Sequence, residues 1–152
     1  MITIEELSTA LYLQHSQLIY ETFVNNFIEF PIHFSDPVDL SLKLYHAPFL
    51  VFSVDNSETP KYNYLNYRAQ QAFEINRENL NDFYLKDSVP EQLHNNLLGF
   101  TKHICETGKF ANYNGVRMSK SGNQFRLNNA YVWSLLASDG TYKGVAWMEP
   151  LF

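Results

Sequence analysis

A single cysteine, Cys105, stands in 152 residues, so no disulfide can form within the chain. That usage fits a reducing compartment. No apolar run reaches the roughly 18 residues of a membrane span, so no membrane partner is expected. The chain does not open with a basic region followed by an apolar stretch, so no secretory signal is expected and a cytoplasmic location is. Positive charge is scarce at first: residues 1–55 hold one base, Lys43, against seven acids. The net charge of −5 argues against general affinity for nucleic acid. Catalytic signatures are missing too. There is no Gly-x-Ser-x-Gly elbow, no His-Glu-x-x-His pair and no Gly-x-x-x-x-Gly-Lys loop. His15, His33 and His46 are dispersed, without metal-ligand spacing. Neither turnover nor a metal is expected.

Rings are what the chain has in quantity: twelve Phe, ten Tyr and two Trp. They predict a ring-lined core or pocket. The length suits one domain with a core of its own. Acids are absent between Glu106 and Asp139, where Lys109, Arg117, Lys120 and Arg126 lie. This basic ribbon is either a solvated sheet surface, the plainer reading, or an anion site.

Thr3 and Glu6 have capping-box spacing, so a helix should start near Ile4 and run to about Phe30, where Pro31 stops it. Ile4, Leu7, Leu11 and Leu18 share one of its faces; Tyr12, Ile19, Phe23, Phe27 and Phe30 share another. A helix apolar on two sides has two things to cover. One is the domain body. The other is a second subunit, unless both faces are buried in one monomer or the helix is broken in two. Residues 1–30 therefore form an N-terminal helix and candidate homodimer element, and residues 31–152 the domain proper.

Asp36-Pro37 starts a second helix through Tyr45. Phe49–Val54 and Tyr62–Leu65 read as strands, separated by a polar loop. Ala69, Ala72 and Phe73 mark a short helix. Leu93, Leu97, Phe100 and Ile104 mark a longer one after Pro90, with Gly108 as its cap. Three strands follow, Lys109–Met118, Gln124–Leu136 and Tyr142–Met148, with turns at Lys120–Asn123 and Asp139-Gly140. Strict alternation puts Phe125, Leu127, Tyr131, Trp133 and Leu135 on one side of the long strand. The fold class is α+β: a five-stranded antiparallel sheet with helices over one face and a long N-terminal helix.

This order, and the step from Tyr64-Leu-Asn-Tyr into a helix carrying Ala69 and Phe73, resembles PAS-type sensor domains. Leu44–Ser53, Pro60–Ala69, Asn112–Ser119, Gly122–Leu127 and Ala130–Trp133 are similar, in that order, to segments of the PAS-related MEKHLA domain family, here in the free-standing form it takes in bacteria. The likeness spans roughly residues 15–150. The chain departs from the pattern at Val54, at Lys86–Glu91, at Ser134 and at Val145–Trp147.

The resemblance places Asn66 at the start of the first short helix, where its amide can cap backbone N–H groups or touch a ligand. Alternation pairs Tyr113 with Arg117, and sets Asn129 beside Tyr131 and Trp133. Asn66, Tyr113, Arg117, Asn129, Tyr131 and Trp133 are thus the candidate pocket residues. They either wall a site for a small apolar or aromatic ligand or fill a dry core. Haem is not expected, because His94 and His103 flank the apolar stripe of their helix. Flavin is not expected, because the Asn-Cys-Arg-Phe element of flavin photoreceptors is absent. Cys105 reads as a small buried or half-buried thiol. The function implied is non-catalytic sensing of a small molecule or partner. The alternatives are a dimerisation module without ligand and, more remotely, a small enzyme on a cone-like α+β fold.

Overall fold

The computed structural model describes residues 2–150. An inner strand, β1 (Leu50–Val54), is buried at every position. Phe52 and Val54 enter one apolar cluster and Val51 another, on opposite sides of the strand. That is why the segment reads as an apolar run, broken only by Ser53, rather than an alternating one. With β2 (Tyr62–Leu65), β3 (Lys109–Met118), β4 (Gln124–Leu136) and β5 (Tyr142–Glu149) it builds one sheet in the order β2-β1-β5-β4-β3. Every neighbouring pair is antiparallel.

The helices divide between the two faces. One face carries α4 (Tyr67–Phe73) and α5 (His94–Thr107), with 3₁₀ turns at Arg77–Asp82, Leu85–Ser88 and Glu91–Leu93 between them. The other carries α2 (Ala10–Asn26) and α3 (Pro37–Tyr45), preceded by the single turn α1 (Ile4–Leu7). On α2, Ile19 and Phe23 are fully buried against the sheet.

The N-terminal helix is therefore in two pieces and ends earlier than Pro31 alone dictates. The hydroxyls of Ser8 and Thr9 donate to the carbonyls of Ile4 and Glu6. Such local bonds compete with helix continuation, and Thr9 is extended (φ −69°, ψ 155°). At the far end Phe27 leaves the helix (φ −133°, ψ 169°), and its ring packs on Tyr131 and Trp133. Lys109 Nζ donates to the Asn26 carbonyl at 2.8 Å, which satisfies a terminal oxygen. Of the first apolar face, Leu7 is buried and Leu18 half-buried within the chain, while Ile4 and Leu11 are exposed.

Two irregularities set the far half of the sheet. Between the pairs Gly115–Leu127 and Tyr113–Ala130, β4 carries one residue more than β3. Between Tyr113–Ala130 and Phe110–Val132, β3 carries one more than β4. Asn129 (φ 55°) and Asn112 (φ 59°) take the left-handed conformations these bulges need. The bulge on β4 inverts its alternation. Phe125 and Leu127 face α5 before it; Tyr131, Trp133 and Leu135 face α2 after it. The five rings and leucines expected on one side are thus split between two.

Candidate functional site

α5 and β3 do not close on each other along their whole length. Between them lies a groove of about 230 Å³. Val89, Leu93, Leu97, Phe100 and Val116 make its apolar walls, Asn96 is at its rim, and Tyr113, Gly115 and Arg117 belong to the strand side. α5 supplies Leu97 because the stripe Leu97, Thr101, Ile104 points at the sheet. The stripe leaves Cys105, one residue further round, exposed rather than half-buried. A Cβ at Gly115 would sit 2.5 Å from the Tyr113 hydroxyl, so only glycine lets that ring lie back along its own strand.

Arg117 is the polar centre of this region and is 1% exposed. Its Nη1 donates to the Tyr113 hydroxyl and to the Val116 carbonyl, both at 3.0 Å. Its Nε and Nη2 are closed off from solvent and have no hydrogen-bond partner. The guanidinium carbon lies 5.6 Å from the centre of the Tyr113 ring and 5.4 Å from that of Trp147. These cation–π contacts return part of what burial costs. Among the described residues no carboxylate pairs with it; the ion pairs present join Lys43 to Asp39 and Arg77 to Glu6 and Glu78. An uncompensated buried charge costs on the order of several kcal/mol. Burial raises the Tyr62 hydroxyl above its ordinary pKa, and the charge of Arg117 acts against that rise. Of the basic ribbon, Lys109, Lys120 and Arg126 are exposed while Arg117 turns inward. The ribbon is not one surface.

The six candidate positions do not converge. Tyr113 and Arg117 meet at the groove. Trp133 and Tyr131 lie across the sheet, against Phe23 and Phe27 of the α2 side. Trp133 is fully buried, and its Nε1 donates to Thr22 Oγ1 at 2.8 Å. Asn129 is exposed at the bulge, its N–H donating to Asn114 Oδ1. Asn66 is fully buried and fully engaged. Its Oδ1 accepts from the N–H groups of Ala69 and Val51, and its amide nitrogen donates to the carbonyls of Phe49 and Leu44. It caps α4 and ties that helix to β1, with no atom left for a ligand.

A second cavity, about 350 Å³, opens where α2 passes the β2 edge, lined by Tyr12, His15, Asn63, Tyr64 and Arg77 among others. His15 Nε2 lies 2.9 Å from Ser53 Oγ, which donates to Asn63 Oδ1 at 2.6 Å. The imidazole stacks on Tyr64. Burial pulls its pKa down to about 4, so it is neutral at ordinary pH. This trio escaped sequence reasoning because 38 residues separate His15 from Ser53. On α5, His94 bonds the Val89 carbonyl and His103 is exposed.

Among curated proteins nothing matches the chain. Solved structures resemble it in fold. A PAS domain from Colwellia psychrerythraea is 8% identical with a TM-score of 0.60, over 74% of this chain and 92% of that one. The light-state dimer of the fungal blue-light photoreceptor Vivid is 10% identical with a TM-score of 0.56, over 88% and 93%. A PAS domain of a LuxR-family transcriptional regulator from Burkholderia thailandensis, in complex with ethanol, is 15% identical with a TM-score of 0.52, over 72% and 95%. At such identities the likeness speaks for the fold alone: this is a PAS-like fold. The model of the MEKHLA domain matches residues 13–150, from the first turn of α2 through every strand, and the chain belongs to that family.

Proposed function

We propose that the chain is a non-catalytic sensor module that binds a small molecule between α5 and β3 and passes occupancy on through the packing of α5. The observation that carries this reading is the groove: apolar walls with a few convergent polar groups, the usual make-up of a small-molecule site. Its volume falls below the roughly 300–1,000 Å³ of drug-sized sites. The ligand is therefore small, or α5 shifts to admit it. The regulator domain of similar fold bound to ethanol supports a small ligand on this architecture. Ligand binding becomes a signal only if two arrangements of α5 differ in affinity. No helix of the described residues is long and apolar enough to cross a membrane. With its one thiol exposed, the chain suits the cytoplasm.

Homodimerisation through residues 1–30 rests on Ile4, Leu11, Val24 and Ile28, 65%, 75%, 40% and 97% exposed. Four side chains supply only part of the roughly 800 Å² per partner that a stable interface buries. Ligand binding is thus the reading we keep, and the related fold's light-state dimer stays a property of that photoreceptor.

Screening small organic compounds against the purified chain, with hydrogen–deuterium exchange as the readout, tests the proposal. A binder should slow exchange in α5 and β3, and Leu93→Trp, which fills the groove, should abolish the effect. Binders that leave α5 and β3 unchanged, or that survive Leu93→Trp, would overturn it.

A further inference from the structure

The partners of Arg117 are not spread at random over its five N–H groups. Nη1 is used twice, by the Tyr113 hydroxyl and the Val116 carbonyl. The two nitrogens without partners, Nε and Nη2, form one edge of the guanidinium plane. That edge presents two parallel N–H groups at the spacing of the two oxygens of a carboxylate. A structural arginine in a core has that edge engaged by an acid or by carbonyls. Here it is empty on a residue 1% exposed, in a stretch of 32 residues with no acid. Trp147, under the guanidinium, also keeps its Nε1 unpartnered.

We infer that the groove, opened by a shift of α5 as far as the buried Nε and Nη2 of Arg117, takes a small organic monocarboxylate, held by two parallel hydrogen bonds to those nitrogens, with its hydrocarbon body against Leu93, Leu97 and Phe100. This deepens the sensor reading and rests on it. The apolar walls select the body, and the fork selects the head. The Tyr113 hydroxyl accepts from Nη1 and so keeps its own hydrogen to give to a carboxylate oxygen. Phosphate fits less well. It brings more charge and more oxygens than one guanidinium edge and one hydroxyl can satisfy, and it has no apolar part for the walls. The inference also accounts for the lone charge. The carboxylate is the counter-ion that the chain's own described residues do not provide.

The test uses the purified chain and four probes (isovalerate, benzoate and phenylacetate, with inorganic phosphate as the fourth) beside the amides of the three acids. Thermal shift and calorimetry are the readouts. The acids should bind saturably, and their amides and phosphate at least about tenfold more weakly. Arg117→Met keeps an unbranched apolar stem and removes the fork, and it should lose the acid response. Without ligand this variant should be no less stable than the parent, because it gives up an unpaired charge; a merely structural arginine would lower the melting temperature. Leu93→Trp leaves Arg117 in place and should lose binding too, which guards against a variant that fails to fold.

Equal binding of acids and amides, abolished by Leu93→Trp but not by Arg117→Met, would overturn the carboxylate and leave the sensor reading intact. Phosphate binding as tightly as the acids would overturn the choice of head group. No binding by any acid would overturn the inference, and the screen of neutral compounds would then decide the sensor reading separately.

Discussion

The two tryptophans lie on opposite faces of one sheet and differ in how completely the chain surrounds them. Both are fully buried. Trp133, on the α2 face, donates to Thr22 and is ringed by Phe23 and Phe27 at centroid distances of 5.1 and 6.1 Å. Trp147, on the α5 face, stacks on Phe52 at 5.4 Å, lies under an unpaired arginine and leaves its own N–H unmet. Around Trp133 the chain completes its own packing and hydrogen bonding. Around Trp147 it stops short of doing so, beside a groove. Trp133 sits where the α2 face is complete, and Trp147 where the α5 face borders the groove. The α2 face is itself uniform only around Trp133; toward the β2 edge, Tyr64 Oη and Ser16 Oγ lack partners.

The largest expected contrast comes from truncation. Trp133→Ala should cost about 3–5 kcal/mol in urea denaturation. Leu93→Ala, in a half-open groove wall, should cost under about 1 kcal/mol. Equal costs would mean that the faces are equally packed. Next, Asn66→Ala should cost about 2–3 kcal/mol, because two N–H groups lose their acceptor and two carbonyls their donor in a dry place. A loss below about 1 kcal/mol would show that water reaches the α4–β1 junction.

Acid sharpens the comparison at the open end of the α2 face. His15 titrates near 6.5 when unfolded and at about 4 in the fold, because burial disfavours its charged form. Between these values the unfolded chain binds the extra proton, so stability is complete above about pH 6.5 and falls as pH drops toward 4. The loss should be about 2 kcal/mol, less than the full shift implies, since the ring keeps some solvent contact. Denaturation between about pH 5 and 6.5, above the carboxylate range, reads it. The slope should vanish in His15→Gln; a slope that persists belongs to another group. The smallest effect compares Trp133→Phe with Trp147→Phe. The first should cost about 1 kcal/mol more, since only it breaks a hydrogen bond.

Much of the architecture was legible because the punctuation is strong. The bounds of β2, β3 and β4 follow from Pro60, Gly108, Gly122 and Asp139-Gly140, and the stripe from Leu97 to Ile104 names the packed face of α5. Alternation brings Tyr113 and Arg117 to one side, since the bulge between them puts its extra residue on β4 and leaves the phase of β3 unchanged. What failed was phase. Asn129 adds a residue to β4, so Trp133 could not be assigned a face by counting from Phe125. The signal was present, in that Asn112 and Asn129 are the residue type that tolerates positive φ, but asparagine is also common in ordinary turns. The break at Ser8-Thr9 was open to the same kind of reading. The empty edge of Arg117 was not, because a missing partner is a fact of three dimensions.

The extra residue in β4 has a cost that reaches beyond this strand. Excising Asn129 would leave the chemistry of every other side chain unchanged yet turn Tyr131, Trp133 and Leu135 to the wrong side, from α2 toward α5. Lengthening the Asp139-Gly140 loop would do no such thing. Insertions and deletions should therefore accumulate freely at the hairpin tips and be barred from the middle of the sheet, where one asparagine keeps the parity of the whole C-terminal half.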